Sequence, residues 1–133
     1  MREPVWVYGF VVRAVHSRQI AEHGGRPGIR DRDLLESALA HPRHLWQYEE
    51  SATIPGLAAA YASSLTADHP FPDGNRRVAL VTLLLFLDLN GWRLHVPEEE
   101  LYVRMLDLAA KNVTEAGFAG WLEASLQVFE RAN

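Results

Sequence analysis

The residues best suited to chemistry lie close together, in the segment from His69 to Arg77. Pro70 and Pro72 prevent a helix from continuing through it, so the segment is predicted to be a loop. A neutral imidazole at His69 could take a proton from an attacking hydroxyl group. Asp73 offers the one carboxylate that Mg²⁺ commonly takes from a protein when phosphate oxygens complete its shell. The segment therefore has the residue types that phosphoryl-type transfer needs.

An anion site is expected directly after this loop, where Asn75 begins a long apolar helix. The unpaired N–H groups and the dipole of a helix N-terminus attract anions, and Gly74 lets the backbone turn tightly or approach a ligand closely. Arg76 and Arg77 fall in the first turn, where the helix dipole disfavours positive side chains. A bound polyphosphate would offset that repulsion, because guanidinium groups match phosphate oxygens. We therefore predict a phosphate site at Gly74, Arg76 and Arg77, with Asp73 beside it.

The elements that position this segment are predicted to be helices separated by glycine and proline residues. They are expected over about 7–23, 32–40, 55–68 and 75–90, from 97 onward, and over about 114–130. Asp31 and Thr114 are expected to cap the second and the last of them. His41-Pro42 is expected to end the second helix, with an exposed loop or short hairpin over 43–53.

The expected fold class is all-α. The run from Val78 to Leu87 is apolar except for Thr82, so the helix over 75–90 is predicted to be buried on nearly every side. About six helices would then form a compact bundle around it, as one domain over residues 1–133. The large aromatic residues of the C-terminal half are predicted to lie in the core: Trp92, Phe118, Trp121 and Phe129. His16 and His23 are interpreted as ordinary helix residues.

Composition narrows the possible functions. The absence of cysteine excludes disulfides and a cysteine nucleophile, and it fits a reducing compartment such as the cytoplasm. A net charge of -4 disfavours a broad surface for direct nucleic acid binding. The longest apolar run is about half of what a membrane span needs, so no membrane insertion is expected.

The segment from His69 to Arg77 resembles the Fic motif, His-x-Phe-x-Asp/Glu-Gly-Asn-x-Arg, at every defining position. Two positions favour the Doc (death-on-curing) branch of that superfamily. Arg76 is a long cation where typical Fic adenylyltransferases have glycine, and Leu80 stands where they carry a second arginine. The segment His16–Glu49 also resembles the N-terminal half of Doc proteins, so the resemblance covers most of the chain.

The resemblance implies a role for each motif residue. His69 would be the general base, Asp73 the Mg²⁺ ligand, Asn75 and Arg77 phosphate ligands, and Phe71 a packing anchor. Doc proteins are toxins of type II toxin–antitoxin pairs that transfer the γ-phosphate of ATP to a threonine of elongation factor Tu, which stops translation. The resemblance thus implies ATP and Mg²⁺ at the site and elongation factor Tu as the target.

Two other functions stay open. Arg76 replaces the lysine usual in Doc proteins, so transfer of AMP, as in ordinary Fic proteins, is the alternative on the same fold. A catalytically inactive binding module is the alternative of another class. The chain lacks the Ser/Thr-x-x-x-Glu-Gly/Asn string of self-inhibited Fic proteins. Control is therefore expected from a cognate antitoxin, whose disordered tail would fold into a groove. Trp46 and Tyr48 would belong to a flap that holds the target by strand addition.

Overall fold

The structure, a computed structural model, describes residues 2–128, and Val128 by its backbone alone. This part of the chain forms six helices and a two-stranded sheet: α1 (Gly9–His23), α2 (Arg32–Tyr48), α3 (Ile54–Asp68), α4 (Asn75–Leu89), β1 (Trp92–Leu94), α5 (Glu98–Ala109), α6 (Glu115–Ser125) and β2 (Leu126–Val128). The predicted all-α fold class is confirmed. Within residues 2–128, no helix is both long enough and apolar enough to cross a membrane.

Two predicted helix caps are confirmed. The Asp31 carboxylate accepts a hydrogen bond from the Leu34 N–H at 3.1 Å, and the Thr114 hydroxyl accepts one from the Gly117 N–H at 3.0 Å. Each bond satisfies an N–H group that has no acceptor inside its own helix. These caps fix the starts of α2 and α6.

The centre of the fold is shared by α3 and α4. α3 is buried along most of its length, and it packs against α2, α4, α5 and α6. Its small residues, which include Ala58, Ala59 and Ala62, let these neighbours approach closely. α4 buries one broad face against α1, α3, α5 and β1, but Leu84 on its other side is 36% exposed. The buried helix expected over 75–90 is therefore present, but it is not enclosed on nearly every side, and α3 is the more deeply buried of the two.

The prediction that α2 ends at His41-Pro42 is wrong, because the helix continues to Tyr48. Pro42 has no N–H with which to bond the carbonyl of Ala38, four residues earlier, and such a vacancy normally ends a helix. Here the Ser64 hydroxyl of α3 lies 2.7 Å from that carbonyl oxygen and also 2.7 Å from the carbonyl of Ala60 in its own helix. A side chain from a neighbouring helix therefore supplies the partner that Pro42 cannot.

The loop or short hairpin expected at Trp46 and Tyr48 is also wrong, because α2 continues through both residues. Both residues lie in the last turn of α2 and have a helical rather than an extended backbone, so they are not paired as a strand. The end of α2 adjoins the start of α3, since Leu45, Glu49 and Thr53 line one small cavity. α3 separates this end from the His69 end by about 22 Å, at 1.5 Å per residue over its 15 residues.

The C-terminal part also departs from the prediction. α6 ends at Ser125, short of the expected residue 130, and β2 pairs antiparallel with β1, which lies between two of the predicted helices. Two short strands far apart in sequence could not be paired from local patterns alone. Phe118 is buried in the core, and Trp92 and Trp121 pack against it while remaining half-buried. Phe129, also predicted to be core, lies outside the described residues.

Candidate active site

The loop between α3 and α4 is held closed by Asn75. Its side-chain oxygen accepts a hydrogen bond from the Phe71 N–H at 3.0 Å, and its amide nitrogen donates to the Phe71 carbonyl at 2.9 Å. The Phe71 ring points into the core and is 1% exposed. Both polar ends of the Asn75 side chain are thus engaged with the loop. Its predicted phosphate contact would have to use the second amide proton or the backbone N–H.

His16 supports the same loop from beneath. Its ring is 3% exposed and stacks on Phe71 with the ring centroids 4.0 Å apart. Its Nε2 lies 3.0 Å from the carbonyl oxygen of Asp73, so this nitrogen must carry the proton and donate. The interpretation of His16 as an ordinary helix residue missed this role. Its spacing of four residues from the buried Val12 marks an inward-facing position, but not the partner.

Arg30 fixes the end of α3 next to His69. Its guanidinium donates to the carbonyls of His69 at 2.8 Å and Asp68 at 3.1 Å, where a positive charge also complements the helix dipole. The backbone N–H groups of Arg30 and Asp31 both donate to the Pro70 carbonyl. His69 itself adopts a left-handed conformation, with φ 48° and ψ 55°, and its side chain is exposed. The backbone of His69 is thus restrained while its imidazole faces solvent.

Arg26 covers the carboxylate of Asp73. The Arg26 N–H donates to Oδ2 at 2.7 Å, the guanidinium Nε donates to the same oxygen at 3.1 Å, and Nη2 donates to the Pro72 carbonyl. These bonds, led by that of the backbone N–H, hold the pKa of Asp73 below its usual range. A side chain at Gly25 would approach the Asp73 Cβ to 3.2 Å, so glycine allows this close contact.

The N-terminus of α4 opens into a cleft of about 710 Å³. Gly74, with φ 80° in the left-handed region, turns the chain into the helix, and no side chain among residues 2–128 caps that end. The N–H groups of the first turn therefore remain available to a ligand. The side chains of Arg76 and Arg77 are exposed beside them, and the exposed His69 lines the same cleft.

The structure brings together most of the residues that the sequence pointed to. The cleft is lined by the whole polar part of the predicted site: His69, Asp73, Gly74, Asn75, Arg76 and Arg77. Phe71 lies beneath the loop, while Trp46 and Tyr48 lie at the other end of α3. The sequence analysis assigned no role to His16, Arg26 or Arg30, although all three belong to the Doc-like segment His16–Glu49.

The cleft offers a metal ion one carboxylate, that of Asp73. Within residues 2–128, no group of three or more histidine, aspartate or glutamate side chains is placed to hold a metal by itself. Asp73 suits the alternative arrangement, in which Mg²⁺ takes one carboxylate and the phosphate oxygens of a ligand. Its carboxylate is 42% exposed at the edge of the anion site and already attracts a cation of the protein, Arg26.

The class of protein that this fold and site define is a helical one in which an open helix N-terminus, two arginines and an exposed histidine share one cleft. Residues 10–87 match the model of the Fic/DOC family. The chain is 35% identical over 78 residues to the Protein kinase doc of Escherichia phage P1, covering 59% of this chain and 62% of that protein. It is 31% identical over 106 residues to the Toxin Doc of Mycolicibacterium smegmatis, covering 72% and 82%. The chain thus spans slightly less than two thirds of the phage protein. It belongs to the Fic/DOC family, in the Doc branch.

Proposed function

We propose that this chain is a Doc-type toxin that transfers the γ-phosphate of ATP to a hydroxyl side chain of a protein. One observation carries the proposal: the exposed imidazole of His69 opens into the same cleft as the uncapped N-terminus of α4 and its two arginines. This arrangement supports a general base at His69 beside a phosphate chain at the start of α4. The names of the two relatives, one a protein kinase and the other a toxin, support the same function.

His69 is the proposed general base. It would accept the proton of the attacking hydroxyl, which requires a neutral imidazole within hydrogen-bonding distance of the acceptor. The hydrogen bond from Arg30 to the His69 carbonyl restrains the backbone that carries the imidazole at the edge of the cleft. Bound substrate would orient the ring itself, which contributes to the rate once the reacting groups are aligned.

The phosphate chain is proposed to lie against the first turn of α4. The backbone N–H groups there point toward the N-terminal end of the helix, and Arg77 provides a planar guanidinium that can donate two parallel hydrogen bonds. Arg76 adds a second positive charge at the same end. Asp73 would hold Mg²⁺, which neutralises charge on the transferring group when bound.

The acceptor is proposed to be a threonine of elongation factor Tu, by resemblance to Doc proteins. Modification of that factor would inhibit translation, and a cognate antitoxin would control the activity by folding a disordered tail into a groove. All of this would take place in the cytoplasm. Copurification of the chain with the product of an adjacent small reading frame would test the antitoxin directly.

The central test is the mass of the product. Purified elongation factor Tu is incubated with the chain, ATP and Mg²⁺, and its intact mass is measured. Addition of one phosphate is expected with wild type and none with His69→Ala, while His95→Ala, at an exposed histidine after β1, serves as the matched control. Addition of AMP would instead establish the nucleotidyltransferase alternative.

A growth-arrest assay distinguishes a catalytically active toxin from an inactive binding module. Expression of the wild-type chain is expected to stop growth, and expression of His69→Ala at an equal level is not. Equal arrest by both would favour an inactive binding module.

Arg77→Ala should slow transfer by on the order of 10²-fold, whereas Arg13→Ala, at an exposed arginine of α1, should not. Asp73→Ala should remove the Mg²⁺ dependence of ATP binding, which calorimetry can measure.

A further inference from the structure

The cleft has two chemically different ends. The polar end is formed by the loop and the first turn of α4, as described above. The other end is lined by one face of α5, which presents Tyr102, Met105, Leu106 and Ala109. These residues are spaced three, four and seven positions from the first, so they lie on one side of the helix. Their side chains are apolar apart from the tyrosine hydroxyl.

The four residues of this face are called the α5 wall. They differ in how deeply their side chains are buried. Met105 is 2% exposed, and Leu106 and Ala109 are half-buried. Tyr102, in contrast, is 54% exposed while lining the cleft. The ring of Tyr102 is therefore accessible to a ligand, whereas the other three side chains of the α5 wall are buried or half-buried.

The α5 wall is connected to the anion site through α4. Leu80 lines the same cleft, and it follows Arg76 by four residues and Arg77 by three, so all three side chains share one face of α4. Apolar lining thus begins about one helical turn, or about 5 Å, beyond the arginines. A ligand that fits the whole cleft therefore has an anionic part and an apolar part. A volume of about 710 Å³ is within the range of sites that enclose small molecules.

We propose that the α5 wall is the nucleoside subsite, with the base of the nucleoside triphosphate stacked on Tyr102. This rests on the proposed function, because it assumes that the phosphates lie at the N-terminus of α4. Stacking uses the face of the base, which every nucleobase has, so Tyr102 recognises that a nucleoside is present rather than which one. The hydroxyl of Tyr102 is not needed for this contact.

Binding measurements with two ligands test the proposal without an acceptor protein. Calorimetry compares ATP with inorganic triphosphate, each with Mg²⁺, for wild type, Tyr102→Ala, Tyr102→Phe and the neighbouring control Val103→Ala, which replaces a residue 52% exposed. Tyr102→Ala is expected to weaken ATP binding by about 10-fold, the usual effect of losing one stacked base. Triphosphate binding should stay the same. Tyr102→Phe and Val103→Ala should bind both ligands as wild type does, and thermal unfolding checks that each variant is folded.

Several results would overturn the subsite. Unchanged ATP affinity in Tyr102→Ala would show that the ring does not contact the nucleoside. An equal loss for ATP and triphosphate would place Tyr102 in the phosphate site. If wild type bound triphosphate as tightly as ATP, the phosphate site would stand without a nucleoside subsite. Failure of wild type to bind either ligand would instead refute the proposed function.

Discussion

Arg26 and Asp73 form an ion pair across the mouth of the candidate active site, with the guanidinium Nε 3.1 Å from Oδ2. The backbone N–H of Arg26 donates to the same oxygen, so removal of the Arg26 side chain would leave one of these bonds in place. The two side chains are 75% and 42% exposed, and an exposed pair of this kind is weak. An incoming cation can therefore displace the guanidinium at small cost.

Arg26→Ala is predicted to strengthen Mg²⁺ binding in the presence of ATP, because it removes a charge that competes for Asp73. The gain should be modest, up to about fivefold, as expected for loss of an exposed ion pair. Titration of Mg²⁺ followed by calorimetry measures it. Arg26→Lys retains the charge and should give a smaller gain. Weaker Mg²⁺ binding in Arg26→Ala would mean that the guanidinium assists the ligand instead of competing with the metal.

His16→Phe is predicted to misplace the Asp73 loop while keeping a ring against Phe71. Loss of the hydrogen bond leaves the Asp73 carbonyl without its donor, at a cost of about 1–3 kcal/mol in the free energy of unfolding. ATP binding should also weaken by about 10-fold or more, because small displacements in an active site have large effects. Denaturant unfolding and calorimetry measure the two effects, with His95→Phe as the control. Lost stability with unchanged ATP affinity would restrict His16 to a structural role.

Ser64→Ala is predicted to destabilise the chain by about 1–2 kcal/mol, because the Ala38 carbonyl opposite Pro42 loses its donor. Ser63→Ala is the control, since the hydroxyl of Ser63 makes no hydrogen bond within residues 2–128. Pro42→Ala would restore the N–H that can bond Ala38, so Ser64→Ala should cost less in that background. Denaturant unfolding of the four combinations provides the cycle. Additive effects would show that Ser64 does not compensate for the proline.

Tyr61 is predicted to make the fold sensitive to alkali. Burial raises the pKa of Tyr61 to about 12, although the Val7 N–H that donates to its oxygen lowers it in part. In the unfolded chain the phenol ionises near its ordinary pKa of 10.0. The free energy of unfolding should therefore fall as pH rises from about 10 to about 12, by up to about 3 kcal/mol.

Tyr61→Phe is the variant that checks this pH dependence. It should lose about 1–3 kcal/mol at neutral pH, because the buried Val7 N–H is left without an acceptor. It should also lose the part of the alkaline decline that Tyr61 causes. Denaturant unfolding of both proteins between pH 8 and about 12 gives the comparison. Parallel curves for wild type and variant would show that Tyr61 does not cause the decline.

Local patterns in the sequence were sufficient for the helical fold class and for the polar lining of the cleft. The motif residues are near one another along the chain, so the loop, the left-handed Gly74 and the start of α4 already place them close together. The capping residues Asp31 and Thr114 act over three positions and were predictable for the same reason.

Only the tertiary structure decided what supports that loop and what lies at the far end of the cleft. His16 and Asp73 are 57 residues apart in sequence, Arg26 and Asp73 are 47 apart, and Arg30 and His69 are 39 apart. Packing alone brings such residues together, and no local spacing encodes their contact. Likewise, Pro42 disfavours a helix locally, and the helix persists because Ser64 from another helix supplies the missing hydrogen bond.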